Sequence, residues 1–175
     1  MKQIPAFRIF SNLIIGTALL FSACSSPEKP CVEKEQADHV ASNIKAYSHT
    51  WDEIMNKGKL DMFNDSNFTK DVVMHASPKD VVGIDSARAY YANFLTGFSK
   101  IQFTIKDIFG QDNKLVKYWN FKGTHTAVFF GIPATGKTVS LDGTTLVRMQ
   151  DGKIAEERDF FDNLDFMQQL GLIPR

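Results

Sequence analysis

Between residues 37 and 56 the apolar side chains fall at Val40, Ile44, Tyr47, Trp51, Ile54 and Met55. Steps of three and four predict one amphipathic helix, ended at Gly58. A short second helix is predicted over 59–64, and Phe68 leads into an extended segment, DVVMHA, that Pro78 breaks. Asp85 or Ser86 can cap a third helix with Ala87, Tyr90, Tyr91, Phe94, Leu95 and Phe98 on its buried face. Beyond residue 100 the pattern changes to strict alternation. It predicts strands over 101–109, 114–126, 137–150 and 153–162, with a hairpin signal at Gln150-Asp151-Gly152-Lys153. Residues 127–136 fit neither period. Helices followed by consecutive hairpins predict an α+β fold: a curved antiparallel sheet wrapped around N-terminal helices, with a cavity between the two.

The first 36 residues read differently. Lys2 and Arg8 precede a short apolar run, and Ser22 and Ala23 stand before Cys24. This is the layout of a secretory signal, too short for a comfortable transmembrane helix. The ending FSAC resembles the lipobox of bacterial lipoproteins, which implies cleavage after residue 23 and a lipid on Cys24. An ordinary signal peptide with a chance cysteine is the alternative. Residues 24–36 are polar and Pro-containing, and read as a flexible tether holding a domain over 37–175. The expected location is the bacterial cell envelope, on a membrane through the lipid of Cys24. Cys31 then has no intrachain partner for a disulfide.

Losing Lys2 and Arg8 with the signal leaves a net charge of −2 and no basic run, so nucleic acid is not an expected partner. About 140 residues remain, enough for one core. The 15 phenylalanines suit a cavity lined by rings and a small hydrophobic ligand. Four scattered histidines, with both cysteines outside the domain, leave no metal site to expect.

The last strand carries the candidate chemistry. Alternation puts Ala155, Glu157, Asp159 and Phe161 on one face. Asp159 stands next to Phe160 and Phe161, and a poorly solvated carboxylate has a raised pKa useful for proton transfer near neutral pH. Two carboxylates on one face would raise one another further. The facing set on the preceding strand is Val139, Leu141, Gly143, Thr145 and Val147.

Five segments in order carry a family resemblance: DVVMH at 71–75, GTHT at 123–126, FFGIPATGK at 129–137, RMQDGKIAEERDFFD at 148–162 and QQLGLIP at 168–174. From about Trp51 to Pro174 the chain resembles the SnoaL-like polyketide cyclase (ester cyclase) family, of the cone-shaped nuclear transport factor 2-like fold. The resemblance implies cofactor-independent aldol-type ring closure, with an aspartate as general acid/base; that position is Asp159. Where the family usually reads Glu-His-Trp-Asp, this chain reads Glu156-Glu157-Arg158-Asp159, so Glu157 replaces an imidazole. Gly143 and Thr145 stand where Gln and His occur in cyclases with demonstrated chemistry. His75 stands where the family keeps a histidine near the cavity mouth. Asp159 and Glu157 are therefore the expected catalytic pair, with His75, Tyr91, Trp119, Gly143, Thr145 and Phe161 around the ligand. His125, in GTHT, is expected to fix a turn through a backbone carbonyl. A non-catalytic ligand-binding or dimerisation module of the same fold is the alternative, and a homodimer is compatible with either.

Overall fold

A computed structural model describes residues 29–174. Residues 1–28, and with them the signal and Cys24, lie outside the described residues. The first helix, α1 (Lys29–Lys57), begins eight residues ahead of the predicted start and runs through part of the stretch read as a tether. Pro30 is tolerated there because N–H groups of a first turn have no helical acceptor anyway. Val40 and Ile44 are half-buried, whereas Tyr47, Trp51, Ile54 and Met55 are buried. Gly58 ends the helix at a positive φ of 68°, its N–H donating to Ile54 O. The predicted second helix is only a 3-10 turn, Leu60–Met62.

Strand β1 (Phe68–His75) is followed by a two-residue β2 (Val81–Val82) and by α2 (Ile84–Gly97). Neither Asp85 nor Ser86 caps α2; Gly83 holds that position without a side-chain bond, and Asp85 lies within the first turn. There its charge complements the helix dipole. The helix passes directly into β3 (Phe98–Gln111), which is joined by β4 (Lys114–His125), β5 (Thr138–Gln150) and β6 (Lys153–Phe161). Helix α3 (Asn163–Gln169) closes the chain, with the Asp162 carboxylate accepting from Asp165 N–H.

The sheet order is β2-β1-β6-β5-β4-β3. Every pairing is antiparallel except β1 with β6, which is parallel. The expected all-antiparallel sheet is corrected on that point: β1 reaches β6 across the whole chain and joins its free edge. Register shifts in β3 at Ser99/Gln102 and Ile105/Asp107, with Lys100 at φ 52°, are bulges. Bulges increase local twist, which curls the sheet over α1 and α2. The α+β cone expected from the sequence is the fold observed.

On the concave face a single aromatic core joins α1 to the sheet. Trp51 packs against Phe63, Phe68 and Tyr91 at ring-centroid distances of 6.2, 6.4 and 4.6 Å. The aperiodic loop is a tight turn at Phe129–Ile132 that sends Phe129 inward against Phe94, Phe98 and Phe166. The side-chain amide of Gln169 pairs with both Ser140 N–H and Ser140 O, fixing α3 to β5 as another strand would.

Candidate functional site

The concave face is not filled. A cavity of about 430 Å³ lies between α1, α2 and strands β4 to β6. That is within the range of about 300–1,000 Å³ usual for small-molecule sites. Its walls are rings, among them Trp51, Tyr91, Phe94, Trp119, Phe121 and Phe161. Its exposed rim is Ser77, Pro78, Asp80, Arg158, Phe160 and Asn163. The buried polar groups on its surface are Lys117 and Glu157, with Asp159 half-buried between them and the rim.

Strand register explains this layout. Lys117, Thr145 and Asp159 stand opposite one another on β4, β5 and β6. Leu115, Val147 and Glu157 form the next row, and Trp119, Gly143 and Phe161 the row on the other side. All nine side-chain positions share the concave face, because side chains of paired residues point the same way.

Asp159 is held by two hydroxyls. Thr145 Oγ1 donates to its Oδ1, and Tyr91 Oη lies 3.4 Å from its Oδ2. Thr145 is itself oriented, accepting from Trp119 Nε1 at 2.9 Å. The result is a relay, indole to hydroxyl to carboxylate, that leaves the aspartate facing the cavity. Glu157 is held by α1: Tyr47 donates to Oε1, and Trp51 Nε1 donates to the same oxygen at 3.0 Å. Among the described residues its Oε2 has no partner. Burial keeps both Tyr47 and Tyr91 well above the ordinary phenol range, with the nearby carboxylates adding to it, so both rings remain donors.

The carboxyl that burial lifts is Glu157. Loss of water raises it from 4.5 to about 7, against the pull of Lys117, and the Asp159 charge adds to the rise. The folded protein thus holds this proton more tightly than the unfolded chain does. Stability contributed by the neutral carboxyl is full below about pH 4.5, falls as pH rises, and is gone above about pH 7. Glu157→Gln keeps the shape and an oxygen for Tyr47 and Trp51 but cannot ionise. In urea unfolding the variant is expected to be the more stable protein near pH 8 and to lose that advantage near pH 4. An advantage independent of pH would contradict the assignment.

Of the residues singled out from sequence, Asp159, Glu157, His75, Tyr91, Trp119 and Phe161 line the cavity. Gly143 and Thr145 do not. The Trp119 indole lies directly over Gly143, where a Cβ would overlap the ring, so the missing side chain makes room for the tryptophan and not for ligand. Thr145 is wholly buried behind Asp159 and positions it. His75 has both ring nitrogens engaged, Nδ1 with Asp80 at 3.0 Å and Nε2 with Glu156 at 2.7 Å. Glu156 also takes Arg148 Nε at 2.9 Å, and the His75 bond first, then that of Arg148, holds its carboxyl below the usual range. This chain of hydrogen bonds ties β1, β5 and β6 together at the rim. His125 is fully buried against Phe98, its Nδ1 accepting from Thr135 N–H at 3.3 Å, so it does fix a turn, through a backbone N–H.

Three residues at the site were not anticipated there. Tyr47 and Trp51 were read as a helical stripe, and nothing local in the sequence indicates that their polar ends meet a carboxylate some 110 and 106 residues away. Lys117 carries a legible signal: it interrupts the inward alternation of Leu115, Trp119 and Phe121 on β4. Among the described residues no group of three or more His, Cys, Asp or Glu side chains could hold a metal ion, and no helix is long and apolar enough to cross a membrane.

Comparison with known proteins places the fold and the family. Two curated relatives, the aklanonic acid methyl ester cyclases DnrD of Streptomyces peucetius and DauD of Streptomyces sp. (strain C5), are each 43% identical over 49 residues, 28% of this chain. Those matches span 34% and 30% of the relatives' own lengths, about a third of each. Among solved structures, a SnoaL-like polyketide cyclase assignment from Jannaschia sp. CCS1 superposes with a TM-score of 0.70 at 24% identity, covering 78% of this chain and 96% of the other. TsrD of Streptomyces laurentii gives 0.68 at 21%, covering 75% and 97%. A nuclear transport factor 2-like protein of Burkholderia pseudomallei gives 0.62 at 12%, covering 74% and 97%. At these identities the structures establish the fold alone. The profile of the SnoaL-like polyketide cyclases matches residues 45–170, a span that includes α1 from its middle, the whole sheet and every residue of the cavity. The chain belongs to the SnoaL-like polyketide cyclase family.

Proposed function

We propose that the cavity binds a small hydrophobic carbonyl compound and carries out cofactor-independent acid/base chemistry on it, an aldol-type cyclisation or an isomerisation. The observation that carries this reading is the setting of Asp159. Its carboxylate faces an aromatic cavity of about 430 Å³, steadied by Thr145 and Tyr91. A proton next to a carbonyl is removed efficiently only by a base held in place near it. Asp159 takes that proton. Glu157, raised to about 7, is present in both forms near neutral pH and returns a proton to the product. The rings around them suit a flat, largely apolar molecule. The 49-residue likeness to two ester cyclases supports the same class of chemistry.

The test is deuterium exchange at the α-carbons of a panel of aromatic and steroid-like ketones incubated with the full-length protein in deuterated buffer. Catalysed exchange into at least one ketone is expected. Tight binding of ketones with no exchange into any of them would instead establish a binding module. The proposal extends to the setting: the protein is exported and lipidated on Cys24. Cys24→Ser is then expected to move the protein from the membrane fraction to the soluble one, and a wild-type protein already soluble would refute that part.

A further inference from the structure

The group that the acid/base reading leaves without a task is Lys117. It is 3% exposed, yet its side chain lines the cavity. Its Nζ stands 5.0 Å from the centre of the Trp51 ring and 5.2 Å from those of Tyr47 and Phe103. Among the described residues its Nζ makes no side-chain hydrogen bond and no ion pair, and the carboxylates of Glu157 and Asp159 act on it through charge alone. A packing role does not need the nitrogen. An ammonium held among rings with no acceptor from the described residues is costly to keep there, and a methionine would fill the same space at no such cost. Three rings offset part of that penalty for the charged form. Desolvation nevertheless dominates and lowers the lysine pKa, with Glu157 and then Asp159 opposing it.

Position adds the second argument. Lys117 and Asp159 are the outer members of one row across β4, β5 and β6, with Thr145 between them. Two strand spacings put their backbones roughly 10 Å apart. Both side chains line the same cavity of about 430 Å³.

We propose that Lys117 is a covalent catalytic residue, whose amine condenses with the carbonyl of the ligand and so makes the neighbouring carbon acidic for Asp159. The step rests on the carbonyl-ligand reading above. The nitrogen lone pair forms the N–C bond as the C=O π pair becomes a hydroxyl, taking the proton that nitrogen releases. The hydroxyl leaves as water with one further proton, supplied by neutral Glu157, and a C=N⁺ iminium remains. Asp159 removes an α-proton, the C–H pair becomes the enamine double bond, and the nitrogen becomes neutral. The enamine carbon then attacks a second carbonyl of the same molecule, whose oxygen takes the π pair and the proton held by Asp159, or the carbon itself takes that proton back; either way the C=N⁺ iminium re-forms. Water adds to the iminium and restores the free amine. No electron is gained or lost overall, and no cofactor enters. An iminium accepts the electron pair more readily than a ketone does, because its nitrogen already bears the charge an enolate oxygen would have to develop.

The decisive probe is 1-phenylbutane-1,3-dione, an apolar β-diketone that condenses with an uncharged amine to a conjugated enaminone absorbing in the near ultraviolet. Incubated with the full-length protein, it is expected to give one saturable equivalent of that absorbance. The protein mass should increase by one diketone less one water, with the adduct mapped by peptide fragmentation to Lys117. Lys117→Arg is expected to abolish it. Absence of an adduct from Lys117 in the wild type overturns the inference whether or not any variant folds. So does equal labelling of Lys117→Arg. Ketone α-exchange without an adduct would leave the acid/base function standing and remove Lys117 from it; an adduct without exchange would leave a reactive lysine and overturn its catalytic role.

Discussion

Asp159→Asn is expected to lower the rate of ketone α-proton exchange by about 10²–10⁴-fold, the usual contribution of a positioned general base. The substitution is a sharp probe because it leaves the surroundings almost unchanged. An asparagine oxygen can still accept from Thr145, and the relay from Trp119 through Thr145 does not depend on charge. What is lost is the capacity to take a proton. The charge next to Glu157 also disappears, and since the Asp159 charge helps to raise the Glu157 carboxyl, that pKa should move down in the variant. The pH dependence of stability between about 4.5 and 7 should then become shallower. Exchange rates measured beside urea unfolding separate the two effects. An exchange rate within a few-fold of wild type would remove Asp159 from the chemistry.

The largest loss of stability is expected at Trp51. Its indole is 2% exposed, packs against Tyr47, Phe63, Phe68 and Tyr91, and donates to Glu157 at 3.0 Å. It joins α1 to β1, α2 and β6 at once. Trp51→Ala removes the ring and leaves a space that these neighbours cannot close, at a cost of about 3–5 kcal/mol in urea unfolding. The Glu157 carboxyl loses one of its two donors in the same change. Phe160→Ala, at a ring 51% exposed on the rim, is the control and should cost less than about 1 kcal/mol. Similar costs at the two positions would mean that α1 is not docked as described.

Phe160 also shows where reading along the chain misleads. Asp159 looks shielded when written between an arginine and two phenylalanines. In a strand, adjacent side chains leave by opposite faces, so Phe160 is left exposed at the rim and only Phe161 shares the face of Asp159. Glu157, whose carboxyl burial raises, has arginine and glutamate as immediate neighbours and gets its apolar cover from Tyr47 and Trp51. Gly143 and Thr145 make the same point. Their inward direction followed from alternation, but what covers them is set by the size of Trp119 on the next strand.

The sequence by itself determined the elements and their faces: the helical stripe ended by Gly58, four alternating strands, and the hairpin in which Asp151 and Gly152 adopt φ of 51° and 75°. Such features are local, written by side-chain period and backbone preference over a few residues. It also placed Glu157 and Asp159 on one face. Only the tertiary structure decided which strand β1 would join, which carboxyl would lose its water, and that Lys117 would face Asp159 across Thr145. These depend on groups far apart in the chain meeting inside a curled sheet, and desolvation and charge act through space, not along the backbone.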